Sequence, residues 1–256
     1  MNKQGLIKSK KLDVSQTGKK KVYLMEDTNV CLYPLDSQEI ALFCVFDGHA
    51  GKRCSTDLIS LFPATFKKHW PSNSSKASMT KFWTQVYSEV DSKLTKYECE
   101  GSTGTTVSVW RATDGRTLLQ AANVGDSSAF LLRGNRAVPI SEDHKPTNPG
   151  ERRRLQEAGF ISQGQTRLSV GLAVSRAFGD FFPKSVSGVL SEPYMSEIYE
   201  IGSEDTKVIV ASDGLWDIVS GQTAFEIIKS FTDPQLAAKK LLQTAVQSPK
   251  CTDNVT

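Results

Sequence analysis

Asp47-Gly48-His49 places a carboxylate, a glycine and an imidazole in consecutive positions, directly after the apolar run Leu42 to Phe46. The same arrangement recurs along the chain. Val208 to Ala211 delivers Ser212-Asp213-Gly214, and Asn123-Val124-Gly125 delivers Asp126. Met25-Glu26-Asp27 pairs two acids beside an apolar stretch, and Asp253-Asn254-Val255-Thr256 adds one more near the end. Several carboxylates brought to one place repel each other and raise each other's pKa. A divalent cation removes that cost, and all-oxygen ligation suits magnesium or manganese. Two such ions roughly 3.5–4 Å apart can clamp a phosphate and activate water as a nucleophile. His49, two residues beyond Asp47, could protonate a leaving oxygen.

Such groups need rigid elements behind them. The unbroken apolar run before Asp47 predicts a buried strand, and Gly48 and Gly51 permit a sharp turn with close backbone approach. Strands are expected at Val30 to Leu35 and Ile40 to Phe46. Amphipathic helices are expected at Arg53 to Trp70 and Met79 to Glu98, their aromatic residues read as core. From Thr105 the period changes to two. Thr105 to Ala112, Thr117 to Val124, Ala129 to Arg133 and Arg136 to Ile140 read as an antiparallel meander with Asp-Gly and Gly-Asn connections. Pro149 to Ala158 reads as a short helix, started by its proline and stopped by Gly159. Gln163 to Gly188 reads as an irregular flap. Strands at Tyr194 to Ile201 and Lys207 to Ala211 precede helices at Thr223 to Phe231 and Pro234 to Gln247. Strand and helix runs are segregated, so the expected class is α+β, with two face-to-face antiparallel sheets flanked by helices.

A chain of 256 residues with 39% hydrophobic content can bury its own core. Its 31 basic and 28 acidic residues balance to +3, which argues against nucleic acid as a partner. Residues 1–20, rich in lysine, read as a polar basic arm ahead of a single domain over 21–256. No run approaches the ~18 apolar residues of a membrane span, and the start has no signal-peptide pattern. The five cysteines have no paired spacing, which fits neither a disulfide framework nor a zinc site. An intracellular, cytoplasmic or nuclear, reduced protein is expected, with a monomer favoured and the oligomeric state left open by the sequence.

Met25-Glu26-Asp27, Asp47-Gly48-His49, Gly101-Ser102-Thr103, Val124-Gly125-Asp126-Ser127, Asp143-His144-Lys145-Pro146, Leu172 to Asp180, Ser212-Asp213-Gly214-Leu215-Trp216-Asp217 and Asp253-Asn254-Val255-Thr256 occur in this order. From about residue 20 onward, this ordered set resembles the metal-dependent serine/threonine phosphatases of the protein phosphatase 2C family. The resemblance implies hydrolysis of phosphoserine and phosphothreonine in protein substrates, by a water or hydroxide bridging two Mn²⁺ or Mg²⁺ ions. It implies Asp47 between the metals, Asp213 and Asp253 completing one site, and the Gly48 carbonyl on the other. Glu26 and Asp27 would act close by, partly through water. Asp126 and Asp217 would serve a weaker third metal, and His49 would be the general acid.

Some positions depart from the family pattern. Val22 stands where the family has a phosphate-gripping arginine, so Lys21, within Lys19-Lys20-Lys21, becomes the candidate phosphate ligand, with Arg176 as the alternative. Ser128 replaces an arginine, and Phe160 replaces a glycine. The sequence stops at Thr256, where one more strand is expected, so the domain reads as lacking its final C-terminal strand and Asp253 as prone to fraying. The competing reading is a catalytically impaired phosphatase-like binding or scaffold module. The altered grip and the short end support it; the retained acids oppose it.

Overall fold

The computed structural model describes residues 25–35 and 39–256, together with the backbone of 12–14 and 20–22. In chain order, β1 (Leu12–Val14) and β2 (Lys20–Val22) form a two-stranded ribbon. Then come β3 (Thr28–Leu32), β4 (Ile40–Phe46) and the two-residue β5 (Gly48–His49). Helices α1 (Arg53–His69) and α2 (Lys76–Ser92) follow. Next are β6 (Gly101–Ser102), β7 (Gly104–Arg111), β8 (Thr117–Val124), β9 (Ser128–Arg133) and β10 (Arg136–Pro139). Helix α3 (Pro149–Glu157), β11 (Phe178–Gly179) and α4 (Phe181–Ser187) lead to β12 (Tyr194–Met195), β13 (Tyr199–Glu200) and β14 (Asp205–Ala211). Helices α5 (Asp213–Trp216), α6 (Gly221–Ile227) and α7 (Pro234–Gln247) complete the chain.

The larger sheet has the order β12-β8-β7-β4-β3, with β13 also on β8. The smaller has the order β10-β9-β14. Both are antiparallel, and helices flank them as the segregated pattern predicts. Apolar residues fill the layer between the sheets, among them Val107, Leu119, Ala121, Ala129, Leu131 and Ile140. The expected meander is therefore split. The turn at Gly125-Asp126-Ser127 carries the chain from β8 in one sheet to β9 in the other, and Gly125 supports it with φ 91°. The strand expected over Tyr194 to Ile201 is also split in two, because Ser196 bonds Ala121 at the break.

Two separate cores flank the sandwich. Cys54, Leu58, Phe62 and Phe66 recur every fourth residue of α1 and are fully buried. They meet Met79, Phe82, Trp83, Val86 and Tyr87 of α2 over the larger sheet. Polar tips there are satisfied: Trp83 Nε1 donates to Gln120 Oε1 at 2.8 Å, and the Tyr87 hydroxyl donates to Ala122 O at 2.7 Å. On the other side Ala224, Phe225, Leu241, Leu242 and Ala245 of α6 and α7 pack with Ile209, Ala211 and Leu215. Helix α2 ends at Ser92, short of the expected Glu98. The flap region contains ordered elements, β11 and α4. Among the described residues no helix is long and apolar enough to cross a membrane.

Candidate metal centre

Strand β4 runs out at Phe46 and leaves Asp47 at the end of the larger sheet. The Asp47 backbone is fixed on both sides. Its N–H donates to Thr103 Oγ1 at 3.1 Å, and its carbonyl accepts from Thr103 N at 2.8 Å and Ser102 Oγ at 3.2 Å. Glycine is required at 48, because a Cβ there would lie 2.6 Å from Glu26 O and 2.8 Å from Ser55 Oγ. Asp27, 2% exposed, accepts from Ser212 Oγ at 2.8 Å through Oδ2. Glu26 N donates to Asn254 Oδ1 at 2.9 Å, which brings the C-terminal segment to the first acid pair. Asp213 opens α5 in a sharp turn after β14.

These acids act on one another. Burial, then repulsion from Asp27, Asp213, Asp126 and Asp253, pushes the Asp47 carboxyl well above the usual range. Burial, with Asp126, Asp253 and Asp217 nearby, pushes Asp213 up to about 7. Burial also raises Asp27 and Asp126. Among the described residues, Asp27 Oδ1 and Asp213 Oδ1 are buried without a hydrogen-bond partner. Buried, unpartnered carboxylate oxygens among like charges are costly unless a cation meets them. Among the described residues no three His, Cys, Asp or Glu side chains alone stand close enough to hold an ion. The buried, unpartnered carboxylate oxygens of Asp27 and Asp213 fit a hard divalent cation, with Asp47, Asp213, Asp253, Glu26, Asp27 and the Gly48 carbonyl as candidate ligands.

The third pair of acids is different. Lys145 Nζ lies 3.1 Å from Asp126 Oδ2 and is also influenced by Asp213 and Asp217. One ammonium thus already faces the acids assigned to the weaker third ion. Asp217 itself is exposed, and Asp126 is buried.

The end of the chain is tied, contrary to the expected fraying. Ser212 N donates to Thr256 O at 3.0 Å, and Thr256 N donates to Ser212 Oγ at 3.0 Å. Val255 is 2% exposed and packs in the second core. Cys251, 3% exposed, packs in the same core, so burial as well as bonding to the β14 turn holds the segment.

The two phosphate-grip candidates fare differently. Lys19 lies outside the described residues, and Lys20 and Lys21 are described only as backbone in β2. Arg176 is already committed: its guanidinium lies 2.7 Å from Glu151 and donates to Glu192 O at 2.8 Å. Against the desolvation of burial, bonds from Arg176, Arg154 and Ser175 hold Glu151 down at about 2. Arg176 lines a cavity of about 420 Å³ with Lys76, Glu142, His144 and Tyr194, and none of the candidate metal acids lines it.

His49 stands beside Asp47 with Nε2 2.5 Å from Asp180 Oδ2. Sequence reasoning overlooked Asp180, Lys145 and Ser212 as contributors, although each sits within or at the edge of a motif that it singled out.

The family profile described as protein phosphatase 2C matches residues 13–255. A probable protein phosphatase of Dictyostelium discoideum is 41% identical over the whole chain, which spans 25% of that relative's length. Protein phosphatase 2C homolog 1 of Schizosaccharomyces pombe is 33% identical across 91% of this chain and 67% of its own. The crystal structure of a serine-threonine phosphatase 2C from Toxoplasma gondii superposes with a TM-score of 0.72 at 21% identity, covering 90% of this chain and 88% of that one, and it shares the fold. With a profile match over nearly its full length, the chain belongs to the protein phosphatase 2C family.

Proposed function

We propose that residues 21–256 act as a metal-dependent protein serine/threonine phosphatase. The observation that carries this reading is the meeting of Asp27, Asp47, Asp126, Asp213 and Asp253, from separate segments, at one end of the sandwich. Among the described residues, Lys145 is the one basic group that forms an ion pair with any of them. Two divalent cations, Mn²⁺ or Mg²⁺, would supply when bound the Lewis acidity that activates water and the charge that receives phosphoryl oxygens. Asp47 would hold both ions, Asp213 and Asp253 would hold one, and the Gly48 carbonyl would hold the other. Glu26 and Asp27 would orient water there, and Asp126 and Asp217 would hold a weaker third ion. His49 gives its proton to the departing serine or threonine oxygen. Lys21 is proposed for the substrate phosphate. Phosphorylated proteins are the substrates, and five free cysteines suit a reducing, intracellular setting.

Turnover of a phosphothreonine peptide should require added Mn²⁺ or Mg²⁺ and vanish in EDTA. Undiminished turnover in EDTA would sink the proposal. Metal affinity by calorimetry without turnover would establish the binding or scaffold module instead.

Cation binding should also release protons. Asp213 titrates near 7 in the metal-free fold, so near pH 6 it is mostly protonated and a cation must displace that proton. Near pH 8.5 Asp213 has little left to release. Calorimetric Mn²⁺ titrations in two buffers of different ionisation enthalpy should show more protons released at pH 6 than at pH 8.5. No release at pH 6 would contradict the raised carboxyls.

A further inference from the structure

Three short strands form a ribbon of their own, in the order β11-β6-β5. In it Gly101 pairs with His49 on one side and with Gly179 on the other. The next residue after Gly179 is Asp180, 1% exposed, with Oδ2 2.5 Å from His49 Nε2. A side chain on the central strand would separate the two. A Cβ at Gly101 would lie 2.3 Å from Asp180 Oδ2 and 2.5 Å from His49 Nε2.

Asp180 also gives up its ordinary local role. It occupies the N-cap of α4, where an aspartate normally accepts an N–H of the first turn. Its carboxylate makes no such bond. Its backbone is left-handed, with φ 50°, a conformation that non-glycine residues rarely adopt. Backbone bonds hold it there: Asp180 N donates to Glu100 O at 3.1 Å, and Lys184 N donates to Asp180 O at 2.8 Å. Strained backbone of this kind collects at functional sites.

We infer that Asp180 is a positioning residue that holds the Nε2–H of His49 and so makes Nδ1 the proton-donating atom. This rests on the general-acid reading of His49 given above. As water attacks phosphorus and the bond from phosphorus to the serine or threonine oxygen breaks, the Nδ1–H bond breaks and its proton forms the alcohol O–H. The imidazolium becomes the neutral Nε2–H tautomer, which the carboxylate stabilises. The attacking water loses its proton to solvent, and His49 is reprotonated from solvent.

The chain has three histidines, so nitrogen shifts of their rings can be assigned individually. In the Mg²⁺-loaded protein, neutral His49 should be the Nε2–H tautomer. In Asp180→Ala that preference should disappear. The same change should lower kcat for a phosphothreonine peptide by about 10–100-fold, part of the 10²–10⁴-fold that a general acid supplies. It should leave KM and turnover of p-nitrophenyl phosphate within about threefold, because that leaving group needs no proton. In a His49→Gln background the change should add nothing. Asp180→Asn keeps the shape and an acceptor and should fall between parent and Asp180→Ala, which separates positioning from misfolding. An Nδ1–H tautomer in the parent, equal losses on both substrates, or losses that add to those of His49→Gln would each overturn the inference. If His49→Gln itself spared both substrates, the general-acid reading would fall. The tautomer of Asp180→Ala would then decide alone: an unchanged ring state overturns the positioning role, and a lost preference upholds it.

Discussion

Asp47→Asn is expected to cut turnover by several orders of magnitude while making the metal-free protein more stable at neutral pH. Asp47 is the acid with the most acidic neighbours, and the amide keeps its shape but removes the charge that the two cation sites would share. The stability gain follows from linkage. The Asp47 carboxyl has a higher pKa folded than unfolded, so the folded state holds its proton more tightly. Stability contributed by that proton is full below the unfolded value and is lost as pH rises towards the folded one. Asparagine has no proton to lose, so its melting temperature in EDTA should exceed the parent's increasingly from pH 5 upward. Melting curves in EDTA and kcat/KM at saturating Mn²⁺ check the two halves. Turnover within tenfold of the parent would remove Asp47 from the centre, and a lower metal-free melting temperature would refute the charge argument.

Gly214→Ala should be nearly as damaging without touching any ligand. A Cβ at 214 would lie 1.9 Å from Asn254 O, which is backbone and has no flexible end to swing away. Either the Asp213 turn or the Asp253–Thr256 segment must move. Overpacking of this kind costs about 1–3 kcal/mol. Spent on opening the C-terminal segment, that lowers the population of the closed site about 5–150-fold. The Mn²⁺ concentration for half-maximal activity should rise in the same proportion, because only the closed form binds well. Circular dichroism should stay close to the parent's, since few core side chains are involved. An unchanged Mn²⁺ midpoint would show that the segment yields without disturbing Asp253.

The acids themselves were legible as residues. An apolar run ending in Asp-Gly is a strand that delivers a carboxylate, and the structure brings Asp47 and Asp213 to the same end by that route. The α+β class followed from the segregation of strand and helix runs along the chain. What stayed hidden depends on contacts remote in sequence. A Gly-Asp turn reads the same whether it returns to its own sheet or crosses to another, so Gly125 to Ser127 passed for a hairpin. His49 and Asp180 are 131 positions apart, and only the small ribbon through Gly101 joins them. The tie between Thr256 and Ser212 was equally invisible, because short polar segments carry no local sign of what will bond them.

The two helical cores on either side of the sandwich have a mechanical consequence. Glu26, Asp27 and Asp47 belong to segments anchored on the α1–α2 side, whereas Asp213 and Asp253 belong to the α5–α7 side. Between the sheets lies the apolar layer around Val107, Ala121 and Ala129, and at the acid end the bonds from Glu26 to Asn254 and from Ser212 to Asp27 cross from one side to the other. Each half can in principle open as a cooperative unit of its own. If the proposed ions are gripped from both halves, they would act as rivets across that seam. Without them the acids repel one another across it; with them the halves would open together. Amide exchange in α7 and in α1, whose nearest ends, His69 and Pro234, are far apart in sequence, should then slow in concert when cation is added.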